Sequence, residues 1–221
     1  MGFAVSLMVI SVYAFLIEIK PFITGSTTPT TRFNILEKTD IKAGLSPYSN
    51  KLLLNNCLEA TAGPVGMAQP TSRRKTVLIS CQSLAKDITS FMPTHAFAYY
   101  IGAFASAELK QYSEFNFQIA ASQKTAPNGQ WLAQFRVELV EENFEKITSA
   151  TLSSHKQDLI LLAKNASGVR SIATRYVSQP EFRERITELV ETLSPKYQKS
   201  FVNNVRRAAN EISQRRQGLE Q

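Results

Sequence analysis

Residues 96–127 read AFAYYIGAFASAELKQYSEFNFQIAASQKTAP. Small residues (Gly102, Ala103, Ser106, Ala107) interleave with aromatics at helical spacing. A short turn at Lys110-Gln111 leads into a second helical run with Tyr112, Phe115, Ile119 and Ser122, and Pro127 closes it. Helices joined by so short a turn run antiparallel. No run combines strict alternation with β-branched residues, so the expectation is an all-α protein built from packed helical pairs.

With Ala96 placed first, this stretch resembles a tetratricopeptide repeat, the helix-turn-helix unit of about 34 residues. Tyr99 falls on the repeat's large aromatic, Ala103 on the small residue where two helices cross, and Pro127 on its closing proline. Gly102, Phe115 and Ile119 depart from the pattern. One such unit cannot bury its own faces, so stacked antiparallel pairs should complete it, either as a tetratricopeptide-like α-solenoid or as an irregular bundle. The stretch NGQWLAQFRVELVEENF that follows reads as the first helix of a further unit. The expected docking face of such a stack is lined near Tyr99, Tyr100 and Phe104, with Trp131 on the next pair as a further partner-binding candidate; Trp131 equally suits packing between pairs.

Upstream, residues 2–17 read GFAVSLMVISVYAFLI without a charge, and Ile19 extends the run past Glu18. About 18 residues give roughly 27 Å of helix, close to a bilayer core of about 30 Å. Residues 2–19 are therefore expected to contact lipid, with Pro21 ending the helix and Tyr13, Phe15 and Lys20 at the interface. Two readings compete with this membrane anchor. A cleaved signal peptide would use Val12-Tyr13-Ala14, although no Lys or Arg precedes the apolar run. A buried core helix of similar length is the other.

The stretches around Cys57 and Cys81 are both helical in period, and the intervening TAGPVGMAQPTS is a loop. The pair should run antiparallel and can bring the sulfurs together. Closing about 24 residues would then contribute roughly 3–4 kcal/mol in the chain-entropy model. Two reduced, buried thiols are the alternative. A structural disulfide requires an oxidising compartment, which sets the expected bulk of the chain on the periplasmic side of a bacterial inner membrane. The positive-inside rule points the other way, because Lys20, Arg32 and Lys38 follow the span.

The expected organisation is an anchor (1–23), a flexible linker (24–46) beginning TGSTTPTT, a helical domain (47–213) and a frayed tail (214–221). Ser46-Pro47 and Ser194-Pro195 offer helix starts. Ser154 with Gln157, and Ser178 with Glu181, have capping-box spacing. In the C-terminal third, Phe182, Ile186 and Val190 correspond at constant offset to Tyr197, Phe201 and Val205, giving two amphipathic helices.

The formal charge of +7 favours anionic partners without choosing among them; none of the expected partners is a nucleic acid. Arg206, Arg207, Arg215 and Arg216 form a basic C-terminal stretch that would meet anionic glycan or lipid, or would simply be a solvated helix end. Two cysteines and two histidines fall short of ordinary zinc ligation. No nucleophile elbow, P-loop or dinucleotide fingerprint occurs. His95 and His155 read as helix-start residues, and Glu141, Glu142 and Glu145 as solvated charges. The expectation is a protein without enzymatic activity, metal or cofactor.

The order of parts also resembles a group of bacterial single-pass proteins with a cysteine-paired hairpin, a degenerate tetratricopeptide-like middle and a pattern near RYVSQPEFRERI (Arg175 to Ile186). Such proteins look like accessory factors in O-antigen or exopolysaccharide assembly in alphaproteobacteria. The resemblance implies a scaffold or adaptor role toward an envelope membrane protein such as a polysaccharide polymerase.

Overall fold

The computed structural model describes residues 2–25, 27–38 and 41–219, with side chains described for 5–23, 27–38 and 41–215. Among the described residues there are twelve α-helices and no strand. Contacts divide the chain into two compact units, Met1–Thr125 and Ala126–Gln221. The boundary between the units lies within the helical stretch expected over 47–213, after Thr125, where α7 ends just before Pro127.

The first unit contains α1 (Gly2–Gly25), α2 (Pro29–Lys38), α3 (Pro47–Ala62), the single turn α4 (Pro64–Met67), α5 (Thr71–Phe91), α6 (Ala96–Glu108) and α7 (Tyr112–Thr125). Its core gathers Leu54, Val77, Leu84, Ile88, Ile101 and Phe115, each no more than 1% exposed. The Cys57–Cys81 disulfide joins α3 to α5 with their Cα atoms 5.7 Å apart, as the paired apolar stripes anticipate.

α6 and α7 form the antiparallel pair expected over 96–127. Their turn closes as a Schellman motif: Gln111 N–H donates to Ser106 O at 2.8 Å and Lys110 N–H to Ala107 O at 2.9 Å, with Lys110 at φ 59°. Ala98 and Ala103 are fully buried, and a Cβ at Gly102 would stand 3.1 Å from Gln118 Oε1. Small side chains thus let the two helices close, and Ser122 Oγ donates to Ala96 O at 3.0 Å across them.

Two expectations near the N-terminus are corrected. Pro21 does not end α1; it lies inside the helix and is buried. A mid-helix proline forfeits one backbone hydrogen bond, and α1 offsets this by packing its C-terminal half on α3. The segment expected to be an extended linker contains α2, with Phe33 and Leu36 at 1% and 3% exposure. Ten residues do not hold a helix alone in water. Tertiary contacts hold this one: Arg73 of α5 donates to both Glu37 oxygens (2.7 and 2.5 Å) and to Asn34 Oδ1 (2.9 Å), and lies over the Phe33 ring. Arg32 pairs with Glu59 of α3 at 2.9 Å.

The second unit comprises α8 (Gln130–Glu142), a 3₁₀ turn (Phe144–Lys146), α9 (Ser149–Ala163), α10 (Gly168–Ser178), α11 (Pro180–Glu191) and α12 (Pro195–Leu219). Its core contains Leu162, Ile172, Phe182, Ile186 and Phe201, so the amphipathic pattern repeated in α11 and α12 buries its apolar stripe as read. The tail expected to fray continues as helix to Leu219. The expected capping boxes are not used. α9 starts at Thr148, whose Oγ1 accepts from Thr151 N, which leaves Ser154 in mid-helix. α11 starts at Gln179-Pro180, one residue past Ser178.

Candidate functional site

Two features of this fold carry polar chemistry. One is the junction of α1 with the rest of the first unit. The other is a buried charge cluster in the second.

α1 is the one helix among the described residues long and apolar enough to cross a membrane, over Val5–Ile23. From Val5 to Leu16 it leaves large apolar side chains bare: Met8, Val9, Ile10 and Phe15 are 60–70% exposed. From Ile17 to Ile19 and at Pro21 the same helix is covered in part or whole, while Phe22 and Ile23 beyond are again 43% and 63% exposed. Glu18 lies in the covered part. Its carboxylate accepts from Ser46 N at 2.5 Å and Ser46 Oγ at 2.9 Å. Ser46 is also the N-cap of α3, with its Oγ accepting from Ser49 N at 3.2 Å. A carboxylate set on the first turn of a helix is favoured by the helix dipole.

The connector 41–46 is fixed by Asn50. Its fully buried amide receives Gly44 N–H at 2.8 Å and donates to Gly44 O at 3.1 Å. Gly44 is required there, since a Cβ would stand 2.1 Å from Ser49 Oγ. Between α1, α2 and this connector lies a cleft of about 330 Å³. Tyr13, Leu16, Ile17 and Pro21 line it from α1, Ile35 from α2 and Ile41 from the connector, with Lys20 and Lys42 also on its wall.

In the second unit, Glu141 and His155 are buried, against the sequence expectation of a solvated acid and a helix-start histidine. Their side chains are 2% exposed each and meet at 2.7 Å through His155 Nε2. Arg185 donates to the other Glu141 oxygen and stacks 3.9 Å above the Phe144 ring. Burial pushes the Glu141 carboxyl up, but the bonds and charges of His155 and Arg185 outweigh it and hold it below the ordinary carboxylate value. Nearby, Arg136 grips Asp158 with two bonds of 2.6 Å, both side chains being 3% exposed or less. Burial pushes Asp158 up, and the Arg136 fork opposes it. Glu142 and Glu145 are exposed, as read. The cluster is legible only in part: Arg136 sits on the apolar stripe of α8 between Leu132 and Val140, a position where a charge signals a buried partner.

His95 is the N-cap of α6, accepting from Ala98 N through Nδ1 at 3.1 Å. Burial pushes its imidazole below its ordinary value. No group of three or more His, Cys, Asp or Glu suited to a metal occurs among the described residues.

The partner-binding candidates on α6 do not share one face. Tyr100 is 4% exposed and stacks on Phe97 at 6.1 Å, so it is a core residue. Tyr99 and Phe104 are half-buried and lie five residues apart, about 1.4 turns around α6. Trp131 belongs to the second unit, 47% exposed, its edge against Phe135. Arg206, Arg207 and Arg215 are exposed on α12. Arg206 and Arg215 are nine residues apart, about 2.5 turns, and so point to opposite sides. The Arg216 side chain lies outside the described residues. Comparison with protein-family models, curated proteins and solved structures gives no match.

Proposed function

We propose that this protein is a membrane-anchored helical adaptor, without catalytic activity, that holds its folded part directly against the bilayer surface. The observation carrying this reading is the division of α1. An N-terminal stretch with bare apolar side chains leads into a C-terminal stretch locked to α3 through Glu18 and Ser46. Bare Val, Met, Ile and Phe side chains around a helix are costly in water and cheap in lipid. The lock replaces the flexible tether with a stiff one, so the orientation of the rest of the first unit follows the anchor's.

The Cys57–Cys81 bridge supports the side. A disulfide on the core stripes of two helices suits an oxidising compartment, which in a bacterial inner membrane is the periplasm. The resemblance to envelope glycan-assembly factors supplies the partner class, a membrane protein such as a polysaccharide polymerase. Helical pairs present broad faces for such docking, and the partly exposed aromatics proposed for it are Tyr99 or Phe104, on different sides of α6, in the first unit and Trp131 in the second.

Carbonate extraction of native membranes, followed by thiol labelling with and without reductant, tests anchor and side together. The protein is expected in the pellet, with Cys57 and Cys81 labelled only after reduction and denaturation. Release by carbonate overturns the anchor. Labelling without reductant overturns the periplasmic assignment. Photocrosslinking from Tyr99 in intact cells then identifies the partner, and recovery of a cytoplasmic complex overturns the orientation.

A further inference from the structure

We propose that the cleft between α1, α2 and the 41–46 connector is a binding site for one anionic phospholipid drawn from the surrounding bilayer. This inference rests on the reading of α1 as a membrane anchor.

The cleft's long wall is a single face of α1. Tyr13, Leu16, Ile17, Lys20 and Pro21 follow one another at helical spacing, so an apolar strip leads along the helix to a lysine. The strip is continuous with the bare apolar side chains between Val5 and Leu16. An acyl chain can therefore lie along it without leaving hydrocarbon. The opposite wall is also apolar, with Ile35, Ile41 and Leu53. At about 330 Å³ the space is within the range of small-ligand pockets, about 300–1,000 Å³.

The polar end sets the headgroup. Lys20 and Lys42 are both exposed and both line the cleft. Lys20 lies one to two turns from Leu16 and Tyr13, on the side of the folded body. With the N-terminal part of α1 in hydrocarbon, these ammonium groups stand at headgroup level, where a lysine attracts an anionic lipid. A zwitterionic headgroup gains much less there. Asn50 holds the connector that carries Lys42 through its two bonds to Gly44, so the second lysine stands on a fixed wall.

The test uses the full-length chain in vesicles of phosphatidylcholine, alone or mixed equally with phosphatidylglycerol. A photocrosslinking amino acid replaces Ile41 in the cleft wall or, separately, Val9 on the bare stretch, and the lipid adducts are read by mass. Val9 should yield adducts in both membranes without headgroup preference. Ile41 should yield phosphatidylglycerol adducts well beyond that lipid's share. Lys20→Gln with Lys42→Gln should cut this preference by about fivefold per lysine removed, and added salt should weaken it. Ile35→Trp, which fills the cleft, should abolish the Ile41 adduct and leave the Val9 adduct in place. Absence of Val9 adducts overturns the anchor and the lipid site with it. Val9 adducts with no phosphatidylglycerol preference at Ile41 overturn the lipid site alone. An Ile41 preference that survives loss of both lysines also overturns it.

Discussion

Glu18 and Ser46, 28 residues apart in sequence, meet through two hydrogen bonds where α1 packs against the start of α3. Ser46 therefore has two tasks, capping α3 and receiving the anchor helix. The arrangement couples the position of the apolar helix to the folding of the first unit.

Replacing Ser46 with Ala removes the cap and one of the two bonds to Glu18. Loss of an N-cap costs about 0.5–2 kcal/mol, and the first unit should be destabilised by that much. Glu18→Ala should leave the cap intact and loosen only the helix junction. Hydrogen exchange in detergent micelles distinguishes them: Ser46→Ala speeds exchange in the first turn of α3, whereas Glu18→Ala speeds it mainly in residues 18–25. Equal exchange in both variants and the parent would remove the lock from the description.

α2 depends on Arg73. Arg73→Gln should release it, because a ten-residue helix has no independent stability and the Glu37 and Asn34 bonds would go together. The expected outcome is loss of exchange protection over 29–38 with little change in α6 and α7. Persistent protection over 29–38 would mean that burial of Phe33 and Leu36 suffices without the arginine.

The sequence makes the all-helical class, the α6–α7 pair and the cysteine pairing readable because each is local or nearly so: a period of 3.6, a turn, a proline. α2 had a readable start as well, since Thr28-Pro29 repeats the Ser46-Pro47 pattern and Thr28 Oγ1 accepts from Thr31 N at 3.3 Å. The polar run beside it masked Phe33 and Leu36, and the holding arginine lies far along the chain. The burial of Glu141 is hidden from the sequence for a similar reason. Its neighbours Glu142 and Glu145 are solvated, and only the fold brings Arg185 and His155 to it.

Acid should weaken the two units in different windows. The folded state holds His95 below its ordinary value of 6.5, so the unfolded chain binds that proton more readily. The resulting stability is complete above 6.5 and is lost as pH falls through the folded value. His95→Asn keeps a capping side chain and should flatten that loss in the first unit. Glu141 is also held below its ordinary value, 4.5. Its contribution is complete above 4.5 and is lost as pH falls through the lower folded value. Asp158, pushed up by burial, acts in the opposite sense. The fluorescence of Trp131, the single tryptophan, follows the second unit, and Glu141→Gln should reduce its acid sensitivity. An acid limb unchanged by Glu141→Gln would show that another group drives it.

The Arg136–Asp158 pair separates specificity from stability. Both partners are almost fully buried and joined by two 2.6 Å bonds. Removing one leaves the other charge in the core without its partner, which costs about 3–5 kcal/mol. Asp158→Ala should therefore shift chemical denaturation of the second unit by that amount. Arg136→Met with Asp158→Leu removes both charges and fills the space with apolar groups, a change that is often neutral or stabilising. The double variant is expected to be far more stable than Asp158→Ala alone, and a denaturant titration of the parent, Arg136→Met, Asp158→Leu and the double variant gives the coupling directly. If the two changes add instead of compensating, the pair's mutual attraction is not what holds α8 to α9, and the surrounding Leu132, Leu159 and Leu162 packing must carry that contact.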